Sequence, residues 1–273
     1  MHRIFLLITV LLYSCSNTNH EGTEQSTAQV QQESPAESKK PAATAVSQID
    51  TTRFDLDYIR GKFDPAQHPD FVKIPLKYAD REGRYLHRET YEAFLKMWEA
   101  ARQDGVNLKI ISATRNFNAQ KGIWEAKWTG RRKVGGKDLS QTIPDVAKRA
   151  YKILEYSSMP GTSRHHWGTD IDLNALVNSH FEKGEGLKTY QWLTANAAAY
   201  GFCQPYSPKG SERPHGYNEE KWHWSYLPIA LPLTKQAELQ LKNDMISGFA
   251  GAEAASQIDV VQKYVLGINP ECL

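Results

Sequence analysis

The chain has 273 residues, of which 40% are hydrophobic, 11% aromatic and 23% charged, and its 33 Lys and Arg nearly balance 31 Asp and Glu to leave a formal charge of +2. That is ordinary globular material for one sizeable domain or two small ones, without the concentrated basic charge of a nucleic-acid binder. No apolar run approaches the roughly 18 residues of a membrane-crossing helix, and 3 Cys are too few for a disulfide scaffold or a Cys-rich zinc module.

At the start of the chain, His2 and Arg3 precede an apolar stretch from Ile4 to Leu12, broken only by Thr9. As a helix this stretch reaches about 14 Å, half of a bilayer's hydrocarbon core, so it is too short to span. It has the length of a signal-peptide core. It ends in Leu12-Tyr13-Ser14-Cys15, which resembles a bacterial lipobox with Cys15 as the lipidated residue. Residues 1–15 are therefore expected to be a lipoprotein signal peptide. The mature protein is then exported and held to a bacterial membrane by lipid alone. Residues 16–49 are rich in Ser, Thr, Gln, Glu, Ala and Pro and, up to Gln48, carry no aromatic side chain. Such a segment cannot bury enough apolar area to offset its ordering entropy and reads as a disordered tether. With Cys15 acylated, Cys203 and Cys272 remain as an even pair in an oxidising compartment. They are expected to form a disulfide that pins the C-terminus to the core.

Residues 50–228 carry the aromatics and the mixed periodicities of a folded domain. Tyr91, Phe94, Leu95, Trp98 and Ala101 fall at helical spacing and predict a helix over 89–103, closed by Asp104-Gly105 with Gly in the left-handed position. Leu108 to Ser112 reads as a short buried strand. Helices are predicted over 119–128, 144–156 and 191–200, and Thr169 to Leu173 alternates in the manner of a strand. Short strands and helices alternate without a βαβ rhythm or internal repeat, which predicts an α+β fold with a small antiparallel sheet flanked by helices. Beyond Pro228 and Pro232, residues 229–273 are predicted as a C-terminal helical extension, 234–246 and 252–266, packing on the core through Ile258, Val261, Tyr264 and Val265.

Two polar runs hold the chemistry: Ser163-Arg164-His165-His166-Trp167-Gly168-Thr169-Asp170-Ile171-Asp172 and Glu220-Lys221-Trp222-His223-Trp224. A catalytic zinc site takes about three protein ligands from imidazole and carboxylate and leaves a position for water. A carboxylate beside it then serves as the base, and Glu220 stands three residues before His223. Spacing leaves two choices open: His165 or His166 can ligate, and Asp170 and Asp172 share one strand face. No Ser-x-x-Lys occurs in the folded part, which disfavours a penicillin-binding-protein-like serine mechanism.

The run Ser163-x-His165-x-x-Gly168-x-x-x-Asp172 and the later Glu220-x-Trp222-His223 resemble the two signature motifs of the VanY-type D-alanyl-D-alanine carboxypeptidases. These are zinc peptidases that share a hedgehog-like fold with VanX-type dipeptidases. Ser112-Ala113-Thr114-Arg115, followed by Gln120, resembles that family's Ser-x-x-Arg-x-x-x-x-Gln segment. The three motifs stand in family order and span about residues 80–228. The resemblance implies a hedgehog-like zinc peptidase domain at 50–228, with Zn2+ held by His165, Asp172 and His223. It makes Glu220 the base that activates water and protonates the leaving amine, and gives Arg115 a substrate carboxylate or the oxyanion. Ser163 and Gln120 are expected to contact substrate. The Thr169-Asp170 step departs from the Ala often found nearby in the motif; Asp170 is expected to support the metal ligands by hydrogen bonding, with His166 in the pocket wall. The function implied is removal of terminal D-alanine from peptidoglycan stem peptides in the cell envelope, with no nucleic acid as partner. The rival expectations are an endopeptidase or D,D-dipeptidase with the same site, and a cell-wall-binding module without catalysis.

Overall fold

A computed structural model of the chain describes residues 54–273. The expected signal peptide, the Cys15 acylation site and the tether at 16–49 lie outside the described residues. Asp55 caps α1 (Leu56–Ile59) by accepting from the Tyr58 N–H. A two-stranded sheet follows, β1 (Phe71–Lys73) antiparallel to β2 (Tyr85–His87), and β2 runs directly into α2 (Arg88–Gln103). Next come β3 (Ile110–Ser112), α3 (Phe117–Trp128), α4 (Leu139–Thr142) and α5 (Val146–Ile153). The last three each begin at a side chain that accepts a first-turn N–H, Asn116, Asp138 and Asp145, which satisfies one of the donors a helix leaves unpaired. A 3-10 turn, Arg164–Trp167, leads through Gly168 into β4 (Asp170–Leu173). The chain is completed by α6 (Gly184–Asn196), β5 (Phe202–Cys203), β6 (His223–Tyr226), α7 (Leu227–Gln240) and α8 (Ala254–Ile258).

The main sheet is fully antiparallel in the order β3-β4-β6-β5, the small mixed architecture that the sequence pattern predicts. Its central strands pair Asp170 with Ser225, Ile171 with Trp224 and Asp172 with His223. Side chains alternate across a strand, so this register sorts the sheet into two unlike faces. Ile171, Leu173 and Trp224 join Ile110, Phe202 and the inner faces of α2 and α6 (Phe94, Met97, Ala101, Trp192 and Leu193) in one apolar cluster. Asp170, Asp172, His223 and Ser225 occupy the opposite face, and all four are buried. A second cluster draws together Trp124, Trp128, Ile153 and Trp167 with Ile229, Leu233, Ile258 and Val265. α7 starts at the residue after β6, so residues 229–273 continue the core without a linker.

Several element ends differ from the sequence expectation. The helix predicted over 191–200 begins at Gly184 and ends as a 3-10 turn, Ala197–Tyr200. The one predicted over 234–246 begins at Leu227, because a Pro in the first turn forfeits no intrahelical bond. The one predicted over 252–266 is broken at Asp259, which adopts φ +53. There Asn243 donates to the Asp259 carboxylate at 2.8 Å and accepts from the Val261 N–H at 2.9 Å, and a π-helical turn, Val261–Val265, follows. Cys203 on the edge strand is bonded to Cys272 in the final 3-10 turn, with Cα atoms 5.8 Å apart.

Candidate metal centre

The polar face of the sheet and the 3-10 turn before β4 converge on one point. Asp172 lies opposite Ser112 on β3 and opposite His223 on β6, so three strands set three neighbouring side chains in a row. His165 arrives from the turn. Gly168 ends that turn at φ +73, and a Cβ there would sit 2.5 Å from the Phe71 ring. Only glycine combines the left-handed backbone with that approach.

Two histidine tautomers decide what the cluster offers. His165 Nδ1–H donates to the Ala113 carbonyl at 2.9 Å, leaving Nε2 bare and 3.4 Å from Asp172 Oδ1. His223 Nε2–H donates to Asp170 Oδ2 at 2.7 Å, which turns Nδ1 to the cluster, 3.1 Å from the same Asp172 oxygen. Asp172 Oδ1 is itself buried and accepts no hydrogen bond. The three ligand atoms of His165, Asp172 and His223 all lie within 4.8 Å of one another. Tetrahedral bonds of about 2.0–2.1 Å place neighbouring donors roughly 3.3 Å apart, so the 3.1 and 3.4 Å separations fit one small cation. His166 does not join them, and it is not in the cleft wall where the sequence placed it. It is fully buried behind the site, its Nδ1–H donating to the Arg115 carbonyl and its Nε2 accepting from the Gly161 N–H at 3.0 Å. Burial pushes this ring down to about 3, so it stays neutral and locks the backbone that carries Arg115.

The electrostatics favour positive charge at the cluster. Burial works against a charged His223 ring, yet Asp170, Asp172 and Glu220 together outweigh it and hold its proton far above the usual range. Asp172 stays far below the carboxylate range, because His165 and His223 overcome the penalty of burial. A divalent cation takes the place of that proton when ligands of this kind are occupied.

Asp170, on the same strand face as Asp172, turns the other way. It accepts from His223, from Arg164 Nε at 3.2 Å, from Thr169 Oγ1 at 2.6 Å and from Ser225 Oγ at 2.7 Å. Arg164 is 1% exposed and also donates to Thr234 Oγ1 and Ser225 Oγ, each at 2.8 Å. In the sequence Arg164 belongs to no motif position of its own and is marked only by its adjacency to His165.

A cleft of about 550 Å³ opens onto this cluster and is lined by His165, Asp172, His223, Glu220, Arg115 and Gln120, among others. Glu220 Oε2 stands 3.3 Å from His223 Nδ1. Burial first, and then the nearby Asp172 charge, push its carboxyl up despite His223 and Arg115. Arg115 donates from Nε to Gln120 Oε1 at 3.0 Å and from Nη1 to Ser112 Oγ at 2.6 Å, with Asp172 Oδ2 at 3.7 Å. Gln120 in turn donates to the Ser158 carbonyl at 2.8 Å. Each end of its amide meets protein, and its Oε1 helps to hold Arg115 at the cleft. Ser163 is 1% exposed and outside the cleft wall, and its Oγ is buried without a hydrogen-bond partner. Tyr206, which no motif marked, lines the cleft with its ring 4.6 Å from His223.

Comparison with known proteins adds the family. Residues 83–229, more than half of the chain, match the family model VanY, D-alanyl-D-alanine carboxypeptidase. The chain belongs to the VanY family. The match encloses every residue of the metal cluster and of the cleft's polar end. Among curated relatives, YodJ of Bacillus subtilis (strain 168) is 31% identical over 173 residues, which cover 61% of this chain and 55% of that protein. The D-alanyl-D-alanine carboxypeptidase of Enterococcus faecalis (strain ATCC 700802 / V583) is 30% identical over 134 residues, covering 49% of this chain and 45% of that one. The chain thus spans about half the length of these VanY relatives. Among solved structures, VanYB in complex with D-alanine-D-alanine is similar at 24% identity and a TM-score of 0.45, over 64% of this chain and 86% of that one.

Proposed function

We propose that this protein is a zinc-dependent carboxypeptidase that removes the terminal D-alanine from peptidoglycan stem peptides. The observation that carries the reading is the convergence of three ligand atoms, on His165, Asp172 and His223, within 4.8 Å of one another beside the buried carboxyl of Glu220 in a cleft. Two imidazoles and one carboxylate suit Zn2+. Bound there, the ion would acidify a water and polarise the scissile carbonyl. Glu220 takes the water's proton and returns it to the leaving amine, a task suited to a carboxyl whose burial raises its affinity for protons. Arg115 is held by Gln120 at Nε and by Ser112 at Nη1. Its remaining donors serve a substrate carboxylate or the developing oxyanion.

The family, whose model is that of D-alanyl-D-alanine carboxypeptidases, supports a site of action in the cell envelope. The signal-like start and Cys15 support export and a lipid anchor, with residues 16–49 as the tether. Incubation of the mature protein with defined muropeptides, with metal analysis and mass spectrometry of products, tests the proposal. Release of one D-alanine per peptide by a protein holding one zinc is expected. Glu220→Gln should retain the metal and lose roughly 100-fold or more in kcat. Release of a dipeptide, or unchanged turnover in Glu220→Gln, refutes it. Loss of membrane association in Cys15→Ala checks the anchor.

A further inference from the structure

The face of α3 that borders the cleft carries a second cation. Gln120, Ile123 and Lys127 fall at i, i+3 and i+7 and all three line the cleft, the spacing that stacks side chains on one side of a helix. Gln120 marks the end where Arg115 is held. Lys127 stands two helical turns further on, about 10 Å along the axis. Its side chain is half-buried, and Nζ donates to Ser157 Oγ. Among the described residues no carboxylate pairs with it. Ser157 is fixed from the same helix, since the next residue, Ser158, accepts from Gln120.

The cleft as a whole shares this imbalance. Arg115, Lys127, Arg132 and Lys133 line it, whereas its lining carboxylates are Asp172 and Glu220, both beside His223. Burial, followed by the Arg132 and Arg115 charges, pulls the Lys127 ammonium down to about 8 against the opposing pull of Glu220. An ammonium held in a wall without a counter-charge is costly unless a ligand supplies one.

We propose that Lys127, braced by Ser157, is a specificity-determining anion subsite for a carboxylate of the peptide N-terminal to the scissile bond, separate from the one that meets Arg115. The inference rests on the peptidase reading and deepens it, because it narrows the substrate to stem peptides that carry an extra acid. That acid has two sources with the same chemistry. It is either the side-chain carboxylate of a diamino-diacid at the third residue or the free α-carboxylate of the γ-linked glutamate at the second.

The test uses pentapeptides that differ only in these groups: third residue meso-diaminopimelate, its side-chain amide, or lysine, each with the glutamate α-carboxyl free or amidated. Binding is measured calorimetrically on the zinc-loaded Glu220→Gln protein with and without Lys127→Met, and turnover on wild type and Lys127→Met. The acid is expected to bind roughly 10-fold to 100-fold more tightly than its amide. Lys127→Met should abolish that preference through KM, leaving turnover of the fully amidated peptide unchanged, and Lys127→Arg should restore most of it. Which amidation erases the preference names the carboxylate. An equal loss on acid and amide peptides in Lys127→Met, or a preference that survives the substitution, overturns the subsite. Because binding is read on a variant designed not to turn over, absence of hydrolysis by wild type would refute the peptidase reading while the subsite is still judged by the calorimetry.

Discussion

Asp170→Ala should do two separable kinds of damage, and the geometry gives both magnitudes. The carboxylate accepts four hydrogen bonds, from Arg164, His223, Thr169 and Ser225, in a place where neither it nor Arg164 reaches solvent. Deleting it strands a buried guanidinium, for which about 3–5 kcal/mol of stability is the usual penalty. For a domain of this size, at about 2–4 °C per kcal/mol, the Tm falls by roughly 6–20 °C. It also frees the His223 ring to turn or change tautomer, and losses of roughly 10-fold to 100-fold in metal affinity follow when such a partner of a ligating histidine is removed. Urea unfolding of the zinc-free protein measures the first effect, and competition with a zinc chelator the second. The pairing with Arg164 makes a sharper demand. Asp170→Ala with Arg164→Met removes both charges and should be less destabilised than Asp170→Ala alone, since the buried charge left behind causes most of the loss. A double variant whose loss equals the sum of the singles would refute this reasoning, as would an Asp170→Ala protein with unaltered zinc affinity.

Other expectations follow from the same contacts. Arg164, His223 and His165 overcome the burial that would otherwise raise Asp170, and hold its carboxyl well below its ordinary range. Its contribution to stability is therefore complete above an unfolded-state pKa of about 3.9 and is lost as pH falls below it. Zinc-free protein unfolded in urea should lose stability below about pH 4, with a shallower decline in Asp170→Asn. Gly168→Ala must accept φ +73 and a Cβ 2.5 Å from Phe71, so a loss of at least about 2 kcal/mol in chemical denaturation is expected; a silent substitution would contradict the tight approach. Replacing Cys203 and Cys272 by Ala opens a loop spanning 69 positions. The chain-entropy account puts that loss at about 4 kcal/mol, and a change under about 1 kcal/mol would show that the link does little to restrain the unfolded chain.

Much of the site was legible because its spacings are local. Glu220 and His223 belong to a single turn-to-strand segment, and Asp170 and Asp172 to one strand, so side-chain periodicity alone put both carboxylates on a shared face. Spacing left open which of them turns to the cluster, and only the motif resemblance pointed to Asp172. That choice depends on Arg164, Thr234 and Ser225, and two of these come from α7 and β6, far along the chain. His165 and His166 were likewise equivalent by spacing, and only the resemblance chose His165. They are separated by the backbone groups each ring meets, Ala113 for one and Arg115 and Gly161 for the other. Lys127 and Tyr206 passed unnoticed because a helical lysine and a loop tyrosine carry no signature until the cleft forms around them. Helix ends differ from the pattern where Pro228 is tolerated in a first turn, a local rule, and where Asp259 breaks the 252–266 pattern against Asn243, 16 positions away.

Strand β4 is hidden from water on both sides, acids toward one neighbour and Ile171 and Leu173 toward the other. A deletion or insertion of a single residue within it exchanges those sides, trading a carboxylate for an isoleucine at the chemical centre and planting a charge among the rings of α2 and α6. Length variation among functional descendants of this sequence should therefore gather in the loops, while these four positions keep their count.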